Sequence, residues 1–254
     1  MKKVIFALAA VVALAACSNE EVIVADKGVA IGFDTFVENS TRINDPSYTN
    51  GNLFANFGVF GTVEGAELFD NVEVTGSGRN GEWSYADNLT QYWIKDAKYN
   101  FAAVAPKTVK VNDVDTPVYT NASYAVTSSV VNDEKVYTGT TILSFNNNGK
   151  IDLLYAEATA VGKSGSGDPD APANGKVAFT FRHILSKIKF SFENQYLSTG
   201  STIAVREIKL TNAHKTASVT LDATNTIWGN HATAASNDFI ISFGDAETVN
   251  DDNL

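Results

Sequence analysis

The sequence predicts an all-β protein built as an antiparallel β-sandwich. Three observations carry that prediction. Apolar residues alternate with period two in Val29–Val37 and in Val177–Phe181, as in strands with one buried face. Thr, Val, Asn, Phe and Tyr are frequent and glycine is common, a composition that favours strands and turns. Aromatic residues recur at strand spacing between Trp83 and Phe101, where core packing is their simplest use.

With 254 residues, the chain can form one large domain or two small ones. Its 44% hydrophobic and 19% charged content is ordinary for a globular protein. The formal net charge is −10. Without residues 1–16, which hold Lys2 and Lys3, 17 basic side chains remain against 29 acidic ones, or −12. Nucleic acid is therefore not an expected partner, since binding it requires a cationic surface.

Taken in order, the chain opens with a basic Met1-Lys2-Lys3 and an apolar Val4–Ala13, too short to span a bilayer. Leu14-Ala15-Ala16-Cys17 follows and reads as a lipobox, which makes residues 1–16 a lipoprotein signal peptide and Cys17 the acylated first mature residue. Cys17 is the only cysteine, so no disulfide and no thiolate metal site is expected. More than one acyl chain would make a stable anchor in the outer membrane.

Val29–Val37 reads as the first strand, with Val29, Ile31, Phe33 and Val37 on the buried face. Asn39–Arg42 is a polar loop, and Arg42 is the first arginine in the chain. Leu53–Val63 and Glu67–Thr75 are the next strands. Gly76–Gly81 matches G-x-G-x-x-G in letters but leads into Trp83 and Tyr85 rather than a helix, so it cannot hold a pyrophosphate. Gln91–Ile94 and Tyr99–Pro106 are aromatic strand segments. Lys107–Gly149 is polar, with long loops and short strands expected, among them Pro117–Val126. Asn112–Asp115 lacks the glycine and the terminal glutamate of a calcium loop. Ile151–Ala160 is a strand and Lys163–Gly175 a flexible loop. Gly162-Lys163-Ser164 is not a phosphate-binding loop, because Glu157 stands where its first glycine belongs.

Val177–Phe192 is the longest apolar run beyond the N-terminus and is expected to be the central strand. Its apolar set changes phase after His183, from Val177, Phe179 and Phe181 to Ile184, Ile188, Phe190 and Phe192. A one-residue slip reverses the faces, so a bulge or bend is expected between His183 and Lys187, with strand on both sides. Thr202–Thr211, Ala217–Leu221, Ile227-Trp228 and Asp238–Phe243 complete the strands.

Several of these segments resemble one family. Phe181, His183, Leu185, Ser186, Lys187 and Ile188 spell F-x-H-x-L-S-K-I. Asp152–Ala156 spells D-L-L-Y-A, and Trp83/Tyr85, Tyr92-Trp93 and Tyr99-x-Phe101-x-Ala103-x-x-Pro106 form an ordered aromatic succession. The chain resembles the N-terminal domain of the fimbrillins, the lipoprotein-derived pilin subunits of Bacteroidales type V pili. Ser18–Glu21 is similar to the acidic export tag of surface lipoproteins in that phylum.

The resemblance implies a transthyretin-like sandwich and a subunit whose first strand is removed by an Arg- or Lys-specific protease, here near Arg42. Burying Val29, Ile31 and Phe33 at about 1.5–3 kcal/mol each would supply roughly 5–9 kcal/mol. A whole domain has about 5–15 kcal/mol. A cleaved subunit would therefore take up a replacement strand from a neighbour, polymerising head to tail. A plain edge strand ending in a loop is the competing reading of the same residues.

Catalysis has little support. His183, His214 and His231 show no metal spacing, and there is no G-x-S-x-G. His183 reads as a structural histidine beside the bend. No enzyme activity, cofactor or metal is expected.

The domain reading is signal peptide 1–16, lipidated segment and first strand 17–42, sandwich 43–230, and 231–254 as a tail or the start of a truncated second domain. Fimbrillins continue into a second sandwich that provides the donor strand, and the short C-terminus counts against self-polymerisation. The expected function is a fimbrial or accessory subunit at the cell outer membrane. Its partners are other subunits through β-strand addition, the membrane through lipid, and a surface receptor on a host or bacterium. The alternative is a permanently anchored adhesin or glycan-binding lipoprotein, which solvent-facing aromatics would favour.

Overall fold

A computed structural model describes residues 29–37, 54–76, 82–147, 151–162, 175–186, 188–195, 202–229 and 238–248. The strands are β1 (Gly32–Val37), β2 (Asn56–Val63), β3 (Ala66–Thr75), β4 (Lys98–Ala105), β5 (Thr108–Val111), β6 (Val114–Pro117) and β7 (Tyr119–Val131). They continue with β8 (Glu134–Asn146), β9 (Leu154–Val161), β10 (Lys176–His183), β11 (Ala204–Leu210), β12 (Thr216–Leu221), β13 (Thr226–Gly229) and β14 (Phe239–Thr248). A 3-10 turn, Asp87–Leu89, lies between β3 and β4.

The protein is an all-β sandwich. A six-stranded sheet runs β1-β10-β9-β4-β2-β3 and a four-stranded sheet runs β13-β12-β8-β7. Two-stranded ribbons, β5–β6 and β11–β14, complete it. All described strand pairs are antiparallel except β1 with β10, which run parallel from Gly32 opposite Lys176 to Val37 opposite Phe181.

The six-stranded sheet is buried on both faces, which explains the near-continuous burial of β4. Its even positions Ala102 and Val104 join Phe60, Tyr155, Tyr119, Leu143, Phe145, Val219 and Leu221 in the core between the sheets. Its odd positions Tyr99, Phe101 and Ala103 join Phe33, Phe57, Phe69, Val177, Phe179 and Phe181 in a second, aromatic core. Trp83, Trp93 and Tyr85 from residues 82–97 pack onto that core. The core reading of Trp83 and Trp93 therefore holds, each being 9% exposed.

The structure corrects several sequence expectations. β10 is not central; it lies one strand from the edge, and β9 and β4 occupy the middle. The strand ends at His183 with a bend at Leu185, and residues 188–195 form no strand. No described strand lies beside them to supply a ladder, so Ile188 and Phe192 are exposed while Ile184 turns into the inter-sheet core. Trp83–Tyr85 and Gln91–Ile94 make only isolated bridges, Ser84 to Thr75 and Tyr92 to Ala30. The polar region 107–149 holds the short strands β5 and β6 as expected, but also two 13-residue strands, β7 and β8, in place of long loops. At the C-terminal end, β14 pairs antiparallel with β11.

Candidate functional site

The candidate site is the edge of the six-stranded sheet where β1 lies. Its inward positions are Ile31, Phe33 and Thr35, at 1%, 1% and 7% exposure. Val29 is the correction here. It was expected in the buried set, but it is 52% exposed because the chain reaches it at the rim, before the aromatic core closes. Phe36 points outward and is 46% exposed. Val37 is opposite Phe181 in the ladder, and its side chain lies outside the described set.

Phe33 is the anchor. Its ring stacks on Phe179 at 5.7 Å and meets Phe69 at 5.8 Å and Phe57 and Phe101 at 6.3 Å, all three edge-on. Tyr85 closes the group at 5.7 Å. Edge-on and offset pairs of this kind add favourable quadrupole contacts to the buried area.

The backbone of this segment is held on two sides. Residues 32–37 pair with β10. Just before them, Ile31 N–H donates to Gln91 O at 2.8 Å and Trp93 N–H donates to Val29 O at 3.0 Å. Tyr85 donates its hydroxyl to Ile31 O at 2.7 Å. Burial raises the Tyr85 phenol above its ordinary pKa, so it stays a donor. Trp93 Nε1 donates to Gly175 O at 3.0 Å. Gly175 has φ +73°, and a Cβ there would fall 2.4 Å from Val29 Cγ1, so the position requires glycine. The Lys176–Asp34 ion pair at 3.3 Å is well exposed and adds little.

At the far end of β10, His183 Nδ1 is hydrogen-bonded to Asp152 Oδ2, beside the bend as expected. Arg182 was missed by sequence reasoning. It donates to Thr226 Oγ1 at 2.7 Å, to Asn225 O at 2.8 Å and to Asp222 O at 3.0 Å, tying β10 to the β12–β13 turn of the other sheet. Its guanidinium also lies 5.5 Å from the Tyr155 ring centre. Asp222 is pulled down to about 2 by hydrogen bonds from the Asn225 side chain and the Thr224 and Asn225 N–H groups.

Tyr155, Thr141 and Glu157 form a buried polar group between the sheets, with Tyr155 donating to Glu157 and 3.1 Å from Thr141 Oγ1. Burial raises both the Tyr155 phenol and the Glu157 carboxyl. Among the described residues, no group of three His, Cys, Asp or Glu side chains comes together to hold a metal. Cys17 and Arg42 lie outside the described residues, as does most of the 163–175 loop.

A model of the fimbrillin-like family matches residues 41–250, more than four-fifths of the chain. The chain belongs to the fimbrillin-like family. This is a family of structural pilus subunits, so the protein is a fimbrial protein of the cell surface that associates with other fimbrial subunits. No curated protein and no solved structure matches it.

Proposed function

We propose that this fimbrillin-like subunit is exported as a lipoprotein acylated at Cys17, cleaved near Arg42, and completed by a neighbour's strand laid in place of β1. The observation that carries the proposal is the position of β1. It is an edge strand, yet Ile31 and Phe33 fill the aromatic core. Arg42 follows the end of β1 by five residues. Removing the strand would open a groove lined by Phe57, Phe69, Phe101 and Phe179 and leave β10 as an unpaired edge. A donor strand supplies both the missing ladder and side chains at alternate positions. Of the aromatic rings that could favour a sugar-binding surface, Trp83 and Trp93 are committed to the core, whereas Tyr92 is 37% exposed.

Limited trypsin digestion of the mature protein, read by mass spectrometry and size analysis, tests the reading. The expected result is an early cut at Arg42, loss of the 17–42 piece and formation of oligomers. Resistance at Arg42 with β1 retained would overturn it and leave a permanently anchored lipoprotein.

A further inference from the structure

The four-stranded sheet ends on β7, and among the described strands only β8 pairs with it. Sheet edges invite pairing unless charge, proline or shortness blocks it. The other sheet ends carry such blocks. β3 has Glu67, Asp70 and Glu73, β1 has Asp34, and β13 is four residues long. β7 has none of them: its 13 residues, YTNASYAVTSSVV, include no charge and no proline.

The register leaves a regular edge. The irregularity in the β7–β8 ladder lies between Thr120 and Ser123, and beyond it the pairing is continuous to Val131 opposite Glu134. Asn132 and Asp133 have φ 51° and 64°, as in a two-residue type I′ turn. Such a turn makes its flanking residues a hydrogen-bonded pair, so Val131, Ser129, Thr127 and Ala125 turn their backbone groups toward β8. Tyr124, Val126, Ser128 and Val130 therefore turn theirs outward.

That edge is complementary to itself. We infer that β7 pairs antiparallel with β7 of a second copy, about a twofold axis at Thr127. Tyr124 then lies opposite Val130 of the second copy and Val126 opposite its Ser128, all outward-bonding positions in register. Val130 is 71% exposed where the hairpin overhangs the sandwich, while Tyr124 is half-buried against Phe60. Pairing brings each overhanging valine beside an aromatic ring, a favourable cross-strand combination. A second copy is the fitting occupant because the register is self-complementary and the edge carries no charge, so pairing there sets no like charges of a chain with net charge −10 directly opposite one another. The two four-stranded sheets become one sheet of eight. This contact is independent of the β1 groove and needs no cleavage.

Sedimentation of the intact, uncleaved chain over a concentration series tests it. A monomer–dimer equilibrium is expected. Ser128→Pro removes only an outward N–H and should abolish the dimer while circular dichroism shows the fold retained. Val130→Lys should weaken it at least tenfold. At the axis, Thr127 meets its own copy at a non-hydrogen-bonded position, about 4.5 Å between Cα atoms, which suits a disulfide. Thr127→Cys should therefore give a covalent dimer above the background set by Cys17 in the parent chain. A parent that stays monomeric without such cross-linking would overturn the inference. So would a dimer indifferent to both Ser128→Pro and Val130→Lys, or association that appears only after the cut at Arg42.

Discussion

At the residue scale, Phe33 and Val29 divide one segment into core and rim. Phe33→Ala removes a ring with five aromatic neighbours and should cost about 3–5 kcal/mol in denaturant unfolding. Val29→Ala, at an exposed position, should stay within about 0.5 kcal/mol. Glu157 gives a pH signature. Burial raises its carboxyl above the ordinary 4.5, outweighing the Tyr155 hydroxyl that favours the charged form. The folded state thus holds this proton more tightly than the unfolded chain. Its contribution to stability is greatest below pH 4.5 and is lost as pH rises through the raised value. Glu157→Gln should flatten that decline and raise stability at neutral pH, measured by thermal unfolding across pH 4 to 8.

At the element scale, strands with a clear apolar period were legible and those with polar inward positions were not. β2, β3, β4, β9 and β12 fall close to their expected limits because their buried residues are large and apolar. β8 has a strict period, with Tyr137, Gly139, Thr141, Leu143 and Phe145 all buried, but glycine and threonine hide it from hydrophobicity. The Tyr124 ring fills the space over Gly139, so a cross-strand partner supplies the missing side chain. β7 alternates only in its near half, at Ala122, Tyr124 and Val126, since its far half is exposed on both faces. For the candidate site, Ile31 and Phe33 were legible from alternation alone. The clasp from Tyr85, Trp93 and Gly175 was not, because it joins residues more than 50 positions apart. The clasp itself is testable. Gly175→Ala places a Cβ at positive φ against Val29 and should cost about 1–2 kcal/mol by denaturant unfolding.

At the scale of the whole molecule, the two buried apolar side chains of the first-strand segment, Ile31 and Phe33, contribute roughly 3–6 kcal/mol. That is below the figure that includes Val29, but still comparable to a domain's net stability. A chain beginning after Arg42 should therefore unfold or aggregate by itself. A peptide spanning residues 29–37 should restore its thermal transition, and the same peptide with Ile31→Ser and Phe33→Ser should not. Rescue by both peptides alike would mean that the groove does not read these side chains.

The two-sided burial of β4 has a consequence in time. Its amides lie between β2 and β9, under a core on each face, and no local opening can expose them without dismantling both cores. In deuterated water they should exchange last, at the rate of complete unfolding. The amides of β1, which like β3 has a neighbouring strand on one side only, should exchange sooner than those of β4. The ratio of the two rates would measure how much less free energy it takes to lift out one strand than to melt the subunit.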